Sequence, residues 1–334
     1  CERNQDNDGM NVSVLVWAVT CAVILGLFVF DFYAHVRVPH EPTFRESAIW
    51  SSVYIGLAVV FGLVVWWLWG GEFAGEYFAG YVTEKALSVD NLFVFTVIMA
   101  TFAVPREFQQ KLLLIGIVMA LVMRAGFIAV GAAAISTFSW VFYIFGIFLV
   151  LTAAKLAREA GHEKEVEEER DSRIIALVRR FVTTTDDYDG DKFLTTVDGK
   201  RAVTPMLLAL IAIGFTDLLF ALDSIPAIYG LTEEPYIVFT ANAFALMGLR
   251  QLYFLIGGLL DRLVYLSYGL SLILAFIGVK LVLHALHENT LPFINGGAKV
   301  KVPEISTGLS LSVIGVILVV TTVASLVRTR VREA

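Results

Sequence analysis

The stretch TEKALSVDNLFVF, residues 83–95, sets two acids, Glu84 and Asp90, inside an apolar run, and FTDLLFALDSIPAI, residues 215–228, repeats the pattern with Asp217 and Asp223. In both, the acids stand six residues apart, a Thr precedes the first acid (Thr83, Thr216), and a polar residue follows the second (Asn91, Ser224). Placing one acid at the centre of a membrane helix costs at least ~2.5 kcal/mol on insertion scales. Acids kept at such depth are functional by default.

The surrounding chain fits a membrane setting. Of 334 residues, 57% are apolar and only 17% charged, and the mean hydropathy is +0.75. A soluble chain averages about 45–50% apolar and about 25% charged. A crossing helix needs about 20 apolar residues, and nine runs qualify, at 11–32, 48–69, 73–101, 108–134, 140–157, 203–229, 236–259, 264–285 and 305–327. The chain reads as an all-α membrane protein with about nine transmembrane helices. A polar extension, 1–10, precedes helices one to five (11–157). A charged connection, 158–202, separates these from helices six to nine (203–327), and a basic tail, 328–334, closes the chain. Met10 is a candidate start, and no targeting segment precedes the first run.

Basic residues give the direction. Arg37, Arg45, Arg106, Lys111, Arg262 and the tail arginines follow alternate runs, whereas the loops after runs two, four and six hold no Lys or Arg; only Lys299 and Lys301 break the alternation. The N-terminus is therefore expected outside a plasma membrane and the C-terminus in the cytoplasm. The net charge of -6 leaves no basic excess for nucleic acid, and two cysteines, Cys1 and Cys21, support neither a disulfide framework nor a thiolate metal site.

The 158–202 connection holds more than a third of the charged residues and is expected to be cytoplasmic. Residues 173–181 could form a short amphipathic helix and 193–199 a hairpin turning at Asp198-Gly199. Asp186, Asp187, Asp189 and Asp191 do not fit a calcium loop, because the Gly at position six would put Thr185 at position one. They read as a solvated face.

The two acidic stretches head a longer correspondence. Arg124 with Gly131 aligns with Arg250 and Gly257, and Lys155 with His162 aligns with Lys280 and His287. Three markers in one order make runs three to five and six to eight an inverted 3+3 helix repeat, since an odd number of crossings reverses the second unit. Secondary transporters bind their ions at such repeat interfaces. Six residues turn a helix through about 240°, so Glu84 and Asp90 cannot share a face of an unbroken helix. Either one acid of each pair faces the site and the other a second gate, or the helix breaks, for which Pro226 after Asp223 is the candidate point, freeing carbonyls as ligands.

Four carboxylates, the Asn91 amide and hydroxyls at Thr83, Ser88, Thr216 and Ser224 make an all-oxygen donor set. Such a set suits hard divalent cations, Mn²⁺, Mg²⁺ or Ca²⁺. Lys85, Arg124 and Arg250 are candidate charge partners, and they neutralise at most three of the four acids.

EKALSVDNLFVF (84–95), FALDSIPAI (220–228), VFTANAFALMGLRQLYF (238–254) and the stretch from Gly190 to Pro205 resemble the TerC family of integral membrane proteins, which includes Alx-type manganese exporters and tellurium-resistance-associated members. The resemblance implies a LysE-like inverted-repeat fold and manganese efflux, with Glu84, Asp90, Asp217 and Asp223 at the family's acidic positions and Asn91 and Asn242 at motif positions. It departs at Gly214, where many relatives carry a further acid.

The expected function is export of Mn²⁺ or another divalent cation as substrate, with no resident cofactor and no enzymatic activity. Moving two charges against 100 mV takes about 4.6 kcal/mol, and without a GxxxxGK[ST] motif for a nucleotide, protons are the natural exchange partner. The alternative is a membrane interaction protein of an envelope-stress or metal-delivery complex, with the 158–202 loop docking a protein partner.

Overall fold

A computed structural model describes residues 10–36, 40–138, 140–159, 188–197, 200–256, 265–289, 291 and 294–333. The helices are α1 Val14–Asp31, α2 Phe44–Trp69, α3 Gly71–Thr101, α4 Arg106–Thr137, α5 Val141–Glu159, α6 Pro205–Tyr229, α7 Pro235–Leu246, α8 Leu249–Ile256, α9 Leu266–His287 and α10 Thr307–Glu333. A short π-helix, Phe32–Val36, extends α1. Their starts follow from local chemistry. The Ser13 hydroxyl accepts from the Val16 amide and the Thr43 hydroxyl from the Glu46 amide, satisfying amides that have no partner in a first turn. Pro205 and Pro235 open α6 and α7, where a missing N–H is harmless. Gly70, at φ +99°, makes the tight reversal between α2 and α3 that a side chain would resist.

Eight helices among the described residues are long and apolar enough to cross a membrane, one fewer than the nine runs. The difference is α3. It has 31 residues, ample for a crossing, yet it carries Glu72, Glu76, Glu84, Lys85 and Asp90. Glu72 is exposed in the first turn, and burial among interior helices explains how α3 carries Glu84. In the 18-residue apolar windows of Pro235–Leu255 and Pro205–Tyr229, 83% and 61% of residues are buried, against 22% in those of Val14–Ala34 and Thr307–Thr329. The α6 and α7–α8 segments thus form the interior, α1 and α10 the periphery, and α3 packs on both α6 and α7.

The further packing is reciprocal. α3 lies on α7 while α6 lies on α4, and α5 lies along α9. At the last crossing the two backbones touch: a Cβ on Gly146 would stand 2.8 Å from the Gly278 carbonyl oxygen, and one on Gly278 2.8 Å from that of Gly146. Gly146→Ala and Gly278→Ala should each lower stability by about 1–3 kcal/mol through overpacking. Gly126→Ala, whose Cβ would meet nothing within 4 Å, should be neutral or stabilising. Thermal unfolding in detergent checks this; equal melting temperatures for all three variants would contradict the close crossing.

Two expectations change. Pro226 does not break α6, which runs through Asp217, Asp223 and Pro226 to Tyr229. α3 is likewise continuous from Glu84 through Asp90. The break falls in the next span, between α7 and α8, where Met247 is extended and Gly248 adopts φ +78°. Tyr54 packs directly on Gly248. A left-handed glycine ends a helix more firmly than a proline near its last turn, whose lost hydrogen bond neighbouring groups absorb.

The expected hairpin is present, with β1 Leu194–Val197 antiparallel to β2 Lys200–Val203 and Val197 opposite Lys200. The Asp198-Gly199 turn, the 173–181 segment and Asp186 and Asp187 lie outside the described residues. Asp191 takes hydrogen bonds from Lys111 at the start of α4, and the Tyr188 hydroxyl donates to the Phe102 carbonyl oxygen at the end of α3. Burial pushes the Tyr188 phenol up to about 12, keeping it a donor. Asp189 accepts from Lys192 and Thr195, which hold its carboxyl below the usual range. The described part of the acidic face is thus tied to the bundle and the hairpin.

Candidate functional site

Glu84 lies 13 residues into α3 and Asp217 12 residues into α6, about 20 Å from the start of each helix at 1.5 Å per residue. Both carboxyl groups are buried and both meet one cation. Arg124, on α4 and 0% exposed, donates from Nη2 to Asp217 Oδ1 at 2.8 Å and from Nε to Asp217 Oδ2 at 3.1 Å. Its Nη1 donates to Glu84 Oε1 and, at 3.2 Å, to the Ser224 hydroxyl. Counted as ionised, two carboxylates against one guanidinium carry one negative charge in excess.

The helices that surround this centre hold polar atoms without partners. Glu84 Oε2, the Thr83, Ser88 and Thr216 hydroxyls and both amide atoms of Asn242 are buried with no hydrogen bond. Glu84, Ser88 and Asn91 follow one another at i, i+4 and i+7, a single stripe along α3, and Asn91 is also buried. A Cβ at Gly80, one turn before Glu84, would touch Ala241 on α7 and Ile228 on α6. That stripe therefore starts where three helices meet. Each unsatisfied buried polar group costs about 1–3 kcal/mol. A set of oxygen donors held so is what a hard cation would satisfy.

Not all expected residues converge. Asp217 and Ser224, seven apart, share a face of α6 and meet at Arg124. Asp223 is turned away and takes a hydrogen bond from Thr152 on α5 at 3.3 Å. Asp90 is on α3, and its side chain lies outside those described. Among the described residues no three Asp, Glu, His or Cys side chains come together as a metal group, so any cation at Glu84 and Asp217 would also draw on hydroxyl and amide oxygens. Arg250 does not meet these acids. It donates to Asp31 at 2.8 Å and to Gln110 at 2.7 Å, and Tyr54 and Gln251 also donate to Asp31. Lys85 bonds the Ala245 and Met247 carbonyl oxygens freed at the break between α7 and α8. Freed carbonyls exist, but a lysine occupies them. At Gly214 the Met119 side chain from α4 fills the space.

The sequence pattern of the integral membrane protein TerC family matches residues 69–333. The chain belongs to this family. An uncharacterized membrane protein of Mycobacterium tuberculosis is 55% identical over 317 residues, covering 95% of this chain and 80% of that protein. One of Myxococcus xanthus is 39% identical over 315 residues, 94% and 93% of the two chains. An Escherichia coli protein, named provisionally as a membrane-bound redox modulator, Alx, is 35% identical over 278 residues, 80% and 86%. No solved structure matches. The TerC region includes α3 to α10 and hence both carboxylates, Arg124 and every unpartnered donor around them.

Two closures flank this TerC-family centre. Towards the α3 start, a cavity of about 480 Å³ is lined by Glu72, Glu76, Glu233, Glu234, Lys280 and His284, with Tyr229 at its wall. Thr232 donates to Glu76 at 2.6 Å, and His284 pairs with Glu233 at 3.0 Å. Between cavity and carboxylates stand Ile128, Ile225, Ile228 and Tyr229, whose hydroxyl donates to the Ile128 carbonyl oxygen one turn from Arg124. At the opposite end the Arg250, Asp31 and Gln110 network ties α8 to α1 and α4. Asp31 and Gln110 escaped sequence reasoning. Asp31, at the end of the first run, reads as an interfacial acid, although a second acid–base pair within apolar runs was the available signal.

Proposed function

We propose that this TerC-family protein exports divalent cations, Mn²⁺ foremost, from the cytoplasm in exchange for protons, across a plasma membrane with its N-terminus outside. The observation that carries this reading is the buried pair of carboxylates, Glu84 and Asp217, held on one guanidinium, with Glu84 Oε2 and, one turn along α3, the Ser88 hydroxyl left unpartnered. Neither a soft metal, without thiol or imidazole ligands, nor an anion suits it.

Alternating access draws support from the packing. α3 packs on α6, the first helix of each unit lies on the second of the other, and the third helices meet through mutual Gly146 and Gly278 contacts. An inverted repeat of LysE-like type would pack so. The α3 helix then serves as a ninth crossing, its charges borne by interior neighbours rather than lipid. The hydrophobic closure at Tyr229 and the polar one at Arg250 are the two gates this reading requires, one on each side of the carboxylates.

The test is uptake into inverted vesicles, comparing Mn²⁺, Ca²⁺, Mg²⁺ and Zn²⁺ with and without an imposed pH gradient. Accumulation of Mn²⁺ that depends on the gradient is expected. Equal uptake in vesicles lacking the protein would overturn the proposal.

A further inference from the structure

The Arg124 guanidinium lies where a cargo cation would lie. Its hydrogen bonds all run to the same small group: both oxygens of Asp217, one oxygen of Glu84 and the Ser224 hydroxyl. It is tethered to α4, whereas the carboxylates come from α3 and α6, so motion of one helix against the other two would withdraw it. Glu84 Oε2 and, one turn along α3, the Ser88 hydroxyl stay unpartnered while Arg124 is in place. The planar, monovalent fork directs its hydrogen bonds to Asp217, Glu84 Oε1 and Ser224 and leaves those two oxygens free.

Resting on the transport reading above, we infer that Arg124 is a tethered competitor of the cargo: it holds Glu84 and Asp217 between transport events, and a cation binds only by displacing it. Two consequences follow from charge and geometry. Cargo release is assisted, because the returning guanidinium replaces the departing charge and spares two carboxylates from standing unpaired at membrane depth. Monovalent cations are excluded, because exchanging a bidentate guanidinium for Na⁺ or K⁺ trades one positive charge for another and loses well-directed hydrogen bonds. A divalent cation brings twice the charge and reaches the unpartnered oxygens. Arg124 is thus a specificity-determining residue that need not touch the bound metal.

Purified full-length protein in lipid nanodiscs tests this by Mn²⁺ titration with and without 100 mM NaCl, using wild type, Arg124→Gln and Arg124→Lys. Arg124→Gln is expected to bind Mn²⁺ roughly tenfold tighter, to acquire competition by Na⁺ that wild type lacks, and to turn over more slowly in vesicles. Arg124→Lys keeps the charge but cannot fork across both carboxylates, so an increase of about threefold is expected. It also decides the matter if Arg124→Gln does not fold. Unchanged or weaker Mn²⁺ binding by the folded variants, with Na⁺ still without effect, would overturn the inference and make Arg124 a structural partner. If wild type itself binds no divalent cation, the transport reading fails instead, and the two failures are distinguishable.

Discussion

Replacing Glu84 by Gln, or Asp217 by Asn, should bring divalent-cation transport to background while the protein stays folded. Each change removes one of two carboxylates from a site whose affinity for a hard cation depends on ligand charge, and an affinity loss of about 100-fold, about 2.8 kcal/mol, is expected. The fold survives because Arg124 keeps a carboxylate in either variant: Asp217 in the first, Glu84 in the second. Asp223→Asn gives the contrast. Its carboxylate meets Thr152 on α5 rather than the Arg124 group, so Mn²⁺ affinity should stay within about threefold, the change being remote from the bound ion, while turnover falls. Calorimetric titration together with vesicle flux separates the two. Loss of affinity in Asp223→Asn equal to that in Glu84→Gln would move the cation to the α5 face.

Arg124→Ala is expected to destabilise the protein by ~3–5 kcal/mol, because it leaves two buried carboxylates facing one another without a cation. The effect belongs to the unpaired charges and not to lost packing alone. Adding Glu84→Gln and Asp217→Asn to Arg124→Met should therefore recover most of the stability, since a whole buried ionic group can be exchanged for neutral residues at little net cost. Thermal unfolding reads the first effect and its recovery, and vesicle flux shows whether the recovered protein transports. The expected result is a stable, inactive triple variant. Persisting instability would show that Arg124 acts mainly by filling space between α4 and α6.

Much of this centre was legible from residue spacing. The match of residues 83–91 to 216–224 placed both helices, and the net offset of about 240° between Glu84 and Asp90 raised the choice between a broken helix and two faces. The continuous α3 and α6 favour two faces, and the i, i+7 spacing of Asp217 with Ser224 fits their shared contact with Arg124. Partnerships across helices were not legible. Arg250 aligns with Arg124 in sequence, yet it sits on α8 beyond the Gly248 break and reaches Asp31 of α1, outside both repeat units. Lys85, one residue from Glu84, points about 100° away on the helix and reaches backbone that only the break exposes. The site of that break turned on backbone conformation: Pro226 is conspicuous in sequence, whereas Gly248 is one of 26 glycines and acts through its left-handed φ.

The central claim is that the cargo cation sits between Glu84 and Asp217. X-ray diffraction from crystals grown with MnCl₂, measured above and below the manganese absorption edge, locates the ion directly. An anomalous peak within coordination distance of Glu84 and Asp217, lost in Glu84→Gln, is the predicted result. A peak confined to the Glu76 and Glu233 cavity, or beside Asp223, with none between Glu84 and Asp217, would contradict it.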